Sequence, residues 1–160
     1  MLIAEIDFCV PADIDEIYYV ERTCFEVPWG RYAIARDVED PGKSVYLKAL
    51  LRCEIVGYAV LSRNEGTAHL MNIAVLPDFR RMGVASQLMI ANEEIALEWG
   101  SKRMRLEVRA TNRPAREFYD KLGFSFKRRI RRYYVNGDDA FIMLARLPLS
   151  ITKRTYESDE

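Results

Sequence analysis

The run Asn72-Ile73-Ala74-Val75-Leu76-Pro77-Asp78-Phe79-Arg80-Arg81-Met82-Gly83-Val84-Ala85-Ser86 narrows most sharply what this chain can fold into. It reads as a strand, a short loop with one glycine beside basic residues, and then a strong helix. The first N–H groups of such a helix have no partner inside it, and with the helix dipole they make a seat for phosphate. The spacing is not the Gly-x-Gly-x-x-Gly of dinucleotide binding. It also lacks the Gly-Lys-Ser/Thr of a nucleotide-binding P-loop.

A chain of 160 residues can bury a core without staples, and 49% hydrophobic with 30% charged residues describes an ordinary globule. Its 24 basic and 24 acidic side chains cancel, so no bulk field favours DNA or a membrane surface. Cys9, Cys24 and Cys53 are odd in number and far apart, and His69 is the lone histidine, which argues against a metal site. Unpaired thiols, no long apolar run and no signal-peptide pattern point to the cytoplasm.

Along the chain, a strand over about Ala4–Cys9 leads through Pro11 into a helix carrying Ile14, Ile17, Tyr18, Glu21, Cys24 and Phe25 at 3–4 spacing. Pro28-Trp29-Gly30 breaks the pattern before a short helix, roughly Tyr32–Glu39. Val45–Leu51, Ile55–Leu61 and Ala68–Leu76 read as strands. After Gly83, Val84, Leu88, Ala91, Ile95 and Trp99 form an apolar stripe closed by Gly100. Met104, Leu106 and Val108 alternate with polar residues, a period-2 strand. Thr111 or Asn112 caps a helix with Pro114 in its first turn and Ala115, Phe118, Tyr119 and Leu122 on its buried side. A hairpin over about Phe124–Tyr134 and Ala140–Leu147 turns at Asn136-Gly137. Residues 1–149 are expected to form one domain, and the polar tail 150–160 to fray.

This order describes an α/β mixed sheet with helices on both faces and a right-handed parallel crossover in its middle. Ligands in such sheets sit at the carboxyl ends of strands. That expectation brings the Arg80–Ser86 loop and the end of the Glu107 strand to one cleft.

Arg80-x-x-Gly83-x-Ala85 resembles the pyrophosphate-arm signature of the GNAT acetyltransferases, Gln/Arg-x-x-Gly-x-Gly/Ala. Leu106–Asn112, Phe118–Phe124, Arg131–Tyr134 and Asp139–Met143 are similar, in order, to the RimI-type ribosomal-protein N-terminal alanine acetyltransferases. Upstream, Cys24-Phe25 and Pro28-Trp29 match that family's substrate-side loop. The resemblance spans about residues 5–147. It implies a GNAT fold in one domain, mostly antiparallel, with the central parallel β-α-β pair splayed at the cofactor cleft. It also implies acetyl-coenzyme A as co-substrate, no metal, and a protein or peptide N-terminus as acceptor, a ribosomal protein among the candidates.

Acetyl transfer needs an amine stripped of its proton, a polarised thioester carbonyl and a proton donor for the departing thiolate. On residues alone, Glu107 is either a cleft carboxylate or the partner of Arg105 or Arg109. The resemblance makes it the base, and partial desolvation is expected to raise its pKa toward neutrality. Tyr119 alone reads as core packing with its hydroxyl on some carbonyl, and the resemblance makes it the general acid. Asn112 is a helix cap that in the family also contacts coenzyme A. The resemblance gives Ile73, Ala74 and Val75 to the pantetheine arm through main-chain groups, on a strand that in the family carries a bulge. Arg81, Met82, Gly83, Val84, Ala85 and Ser86 fall to the diphosphate, with Arg80 solvated.

Phe25 and Trp29 are either core anchors or the frame of the acceptor pocket. Tyr133 and Tyr134 alternate in direction on a strand, and the resemblance favours Tyr134 against the peptide. The basic stretch Lys127–Arg132 reads as a solvated strand edge or a docking patch, and His69 as a strand residue with no catalytic duty. No cysteine lies in the motifs matched from Asn72 onward, which argues for direct attack in a ternary complex. Two alternatives stay open: another amine acceptor (polyamine, antibiotic or lysine), and a non-catalytic acyl-coenzyme-A-binding module.

Overall fold

A computed structural model describes residues 2–150. In chain order the elements are β1 (Glu5–Phe8), α1 (Ile14–Cys24), α2 (Arg31–Glu39), β2 (Ser44–Leu51), β3 (Glu54–Asn64) and β4 (Thr67–Val75). There follow α3 (Val84–Glu98), β5 (Arg103–Arg109), α4 (Arg113–Lys121), β6 (Ser125–Ile130) and β7 (Ala140–Arg146). Among the described residues the strands form one mixed sheet in the order β1-β2-β3-β4-β5-β7-β6. The β4–β5 pair is parallel, as a strand–helix–strand crossover requires, and its ladder joins Thr67–Leu70 to Arg103–Leu106. That ladder ends short of both strands' ends. The fraying expected after Ser150 lies outside the described residues.

The chain divides into two compact units. One is formed by the residues up to Ser62 with Met71–Asn92, the other by Arg63–Leu70 and the residues from Glu93 onward. In the first, Ile14, Ile17 and Val20 turn the same face of α1 inward, packing with Ile34, Val38, Tyr46, Ile55, Tyr58, Val60 and Ala74. Full burial of each aliphatic side chain contributes roughly 1.5–3 kcal/mol. Glu21 continues that face and is only 2% exposed, a carboxylate in an apolar setting. Gly57 on β3 meets β4 backbone to backbone: a Cβ there would lie 2.8 Å from the Ala74 carbonyl oxygen and 3.2 Å from Val75 Cγ2.

In the second unit, Met104, Leu106 and Val108 are buried and their neighbours on β5 are not, the alternation read from the sequence. Strand β5 pairs antiparallel with β7, Glu107 opposite Ile142. Asn112 caps α4, its Oδ1 accepting from the Ala115 N–H at 3.2 Å.

Two sequence expectations need correction. The buried stripe of α3 runs through Val84, Leu88, Met89, Asn92, Glu93 and Ala96, so Ala91, Ile95 and Trp99 flank it. Two polar residues hide in that stripe, and Glu93 accepts from the Leu149 N–H. The second concerns only how far the strands of the last hairpin run: it turns at Asn136-Gly137 as expected, with the Gly137 N–H bonded to the Tyr134 carbonyl and the Tyr134 N–H to the Asp138 carbonyl, but its first strand does not reach Tyr134. Strand β6 stops at Ile130, and Arg131–Asp139 form a loop. Arg109 braces this loop: its Nη1 donates to Asn136 and Asp138 and its guanidinium lies 3.9 Å from the centre of the Tyr134 ring.

Candidate active site

In the first unit the glycine loop is built from main-chain geometry. Gly83 has φ of 86° and Arg81 of 62°, turning the chain sharply into α3. The first helical bond there joins the Gln87 N–H to the Gly83 carbonyl, so the preceding N–H groups of Val84, Ala85 and Ser86 are left for a ligand or water. Gln87 also accepts from the Ala4 N–H and donates to the Leu2 carbonyl, strapping the N-terminal segment to this helix start. A diphosphate fits such a cradle of free N–H groups at a helix start. Arg80, expected to be solvated, is instead tethered: its Nε donates to the Val75 carbonyl at 2.9 Å, which also accepts from Cys24 Sγ. Arg81 is exposed.

Phe25 and Trp29 are half-buried against the core of this unit. Glu21 stands one helical turn before Phe25, whose N–H bonds to its main-chain carbonyl. Its carboxylate accepts from Tyr58 Oη at 2.7 Å, from Asn72 Nδ2 through both oxygens at 3.0 and 2.9 Å, and from the Trp29 main chain. Burial pushes this carboxyl above its ordinary value, only partly offset by those neutral donors.

In the second unit the parallel register places His69 beside Arg105, two residues before Glu107. His69 Nε2 and Glu107 Oε2 are 2.5 Å apart, and Arg105 Nη2 lies 3.4 Å from Glu107 Oε1. Arg105 Nη2 also lies 3.5 Å from His69 Nδ1, which closes the cluster. The Glu107 side chain is 13% exposed. Burial alone would raise its pKa, but the His69 hydrogen bond and the His69 and Arg105 charges outweigh it. The carboxyl therefore sits below its ordinary range, a reversal of the shift expected from the sequence. Of the partners that the sequence offered, Arg105 is the one that pairs with Glu107, while Arg109 pairs with Asp138.

Tyr119 is 7% exposed, packed against Phe118 and Phe124. Its hydroxyl finds no hydrogen-bond partner among the described residues, so the expected carbonyl is missing. Burial, then the neighbouring Tyr134, raises this phenol well above its ordinary range, which keeps its proton in place. Tyr134 is itself pushed to about 12, chiefly by burial, and Glu107 contributes. It thus senses both Glu107 and Tyr119. Tyr133 also senses Glu107, because the pair lies on a loop with perpendicular rings 5.0 Å apart rather than on an alternating strand.

His69 is the residue that the sequence reading missed at Glu107, while Arg105 was one of the partners that it offered. The signal was the only histidine of the chain standing on one strand of an expected parallel pair, but the register that aligns it with Arg105 is not written in local pattern.

An open mixed sheet with a glycine loop after a central strand and a carboxylate on the next parallel strand defines an acyl-coenzyme-A-type transferase fold. The family comparison agrees: residues 14–124 match the model of the acetyltransferase (GNAT) family, and the chain belongs to it. An N-alpha-acetyltransferase of Sulfolobus acidocaldarius is 30% identical, with 89% of this chain and 92% of that protein covered. A putative ribosomal protein bS18-alanine N-acetyltransferase of Bacillus subtilis is also 30% identical, covering 82% and 87%. The crystal structure of Ard1 from Thermoplasma volcanium superposes with a TM-score of 0.84 at 29% identity, covering 91% and 98%.

Proposed function

We propose that this protein moves the acetyl group of acetyl-coenzyme A to the N-terminal α-amine of a protein or peptide. The observation that carries the reading is the His69–Glu107–Arg105 cluster on the parallel pair, in a chain whose relatives at 30% identity are named for N-terminal acetylation. A carboxylate kept ionised by its neighbours pairs with an ammonium and takes its proton as the nitrogen attacks, though its lowered pKa makes it a weaker base than an unpaired carboxylate. Glu107 takes that proton, and His69 and Arg105 orient the carboxylate. The amine nitrogen then bonds to the acetyl carbon as the carbon–sulfur bond breaks. The Tyr119 hydroxyl, protonated and without a partner, donates to the departing sulfur, and the second proton that the nitrogen sheds as the amide forms restores the phenol.

Acetyl-coenzyme A supplies the activated acyl group when bound. The N–H groups of Met82–Ser86 and the Arg81 side chain are our candidates for its diphosphate. The main chain of Ile73–Val75 and the Asn112 side chain are assigned to its pantetheine and adenosine ends. Phe25, Trp29 and Tyr134 are assigned to the acceptor. Three free thiols fit work in a reducing cytoplasm, and a ribosomal protein is one acceptor to test. Peptides beginning with Ala, Ser, Met or Glu, assayed with acetyl-coenzyme A beside spermidine and free lysine, test the reading. Acetylation of peptide α-amines is expected, and preference for spermidine or lysine side chains would overturn it.

A further inference from the structure

Burying a carboxylate costs several kcal/mol unless its oxygens are fully paired, and an apolar residue at the same place would pack at lower cost. Glu21 nonetheless stands on the apolar face of α1, 2% exposed. What distinguishes it is the set of groups that it ties together. Its main-chain carbonyl accepts from the Phe25 N–H, ending α1. Its carboxylate accepts from the Trp29 main chain, from Tyr58 on β3 and from Asn72 on β4. Asn72 Nδ2 also donates to Tyr58 Oη at 2.9 Å, so all three side chains share one closed network. Both ends of the Phe25–Trp29 segment hang on this one residue. The same network holds the strand position just before Ile73.

We propose that Glu21 is a positioning residue for the acceptor, fixing the Phe25–Trp29 segment to β4 through Trp29 on one side and Asn72 on the other. This rests on the reading that Phe25 and Trp29 receive the acceptor. The donor count makes the role specific to a carboxylate. Tyr58, Asn72 and Trp29 all donate, so a glutamine would turn its own NH₂ toward one of them. Tyr58 or Asn72 could answer only by turning an acceptor inward and giving up the bond that it now donates, and the Trp29 N–H could not answer at all. Exchanging the partners, Glu21→Gln with Asn72→Asp, restores the match: the glutamine oxygen accepts from Tyr58 and Trp29 while its NH₂ donates to the new aspartate.

The test uses the full chain in a Trp99→Phe background, so that Trp29 alone reports fluorescence. For Glu21→Gln we expect the KM of an acceptor peptide to rise about tenfold or more, the loss expected from one mispaired buried hydrogen bond. The Kd for acetyl-coenzyme A should stay within about twofold, and Trp29 should become more accessible to acrylamide. The exchanged pair should recover both the peptide KM and the Trp29 protection. Should Glu21→Gln fail to fold, Tyr58→Phe removes one donor and should give a smaller rise of the same kind. An unchanged peptide KM, a parallel loss of acetyl-coenzyme A affinity, or an exchange that rescues nothing would each overturn the proposal. A wild-type protein inert toward peptides would overturn the acceptor reading itself. The fluorescence, which needs no turnover, tells that result apart from failure of the Glu21 network.

Discussion

Glu21 and Glu107 are two mostly buried carboxylates, one in each compact unit, and their pKa values move in opposite directions. Glu21 is held by a phenol, an amide and a main-chain donor, all neutral. Burial wins there, and its pKa rises. Glu107 has a single imidazole and a guanidinium, and these neighbours outweigh burial. Neutral hydrogen bonds therefore do not keep a buried carboxylate ionised at its ordinary pH; charged neighbours do. The neutral network suits a residue that holds structure, the charged one a residue that meets an ammonium.

The contrast breaks most readily at the chemical step. Glu107→Gln keeps the shape and removes the proton acceptor, and it should lower kcat by about 10²–10⁴ with acetyl-coenzyme A binding intact. Steady-state kinetics beside calorimetric titration of the cofactor would read this, and full activity would strip Glu107 of its role. Tyr119→Phe leaves the packing on Phe118 and Phe124 and should lower kcat by roughly 10²-fold. The loss should shrink with acyl donors whose thiol leaves more easily, and an equal loss with every donor would count against the phenol as acid.

His69→Ala removes a hydrogen bond to a charged group, and it should cost about 10–100-fold in kcat/KM. With the charged neighbour gone, the acid limb of the pH–rate profile should move upward as Glu107 returns toward its ordinary 4.5. The smallest effect is on stability. The Glu107 contribution is present above 4.5 and drains away as pH falls through its lowered folded value. That of Glu21 has the other sign: present below 4.5 and lost as pH climbs through its raised folded value. Urea unfolding from about pH 3.5 to about pH 7 should find Glu21→Gln flattening the higher-pH side and Glu107→Gln the lower. Matching slopes in both variants would erase the distinction.

Much of the fold was legible because local pattern and tertiary burial agree. The alternation on β5, the Asn112 cap and the glycine-led start of α3 each carry their structure in a few residues. What failed was long-range. The last hairpin turns at Asn136-Gly137 as its residues suggest, but its first strand ends at Ile130, and the loop beyond is bonded to Arg109, distant in sequence. The stripe on α3 was drawn through apolar residues, whereas Asn92 and Glu93 are the ones buried, Glu93 bonded to Leu149. At the site, Glu107 and Tyr119 came from motif resemblance. Their surroundings did not, because the register between β4 and β5 decides that His69 rather than another residue reaches the carboxylate. The same register reversed the expected pKa shift.

Gly57 gives one position on β3 a different kind of constraint. Most strand residues tolerate exchange when neighbouring side chains can repack, but here the obstacle to a single added methyl is a main-chain oxygen, which no rotamer change can move aside. Even alanine would have to push Ala74 and Val75 outward, displacing the stretch of β4 that we assign to the pantetheine arm. Variation at Gly57 would thus register first as weakened coenzyme binding, in a protein whose hydrophobic interior had lost nothing.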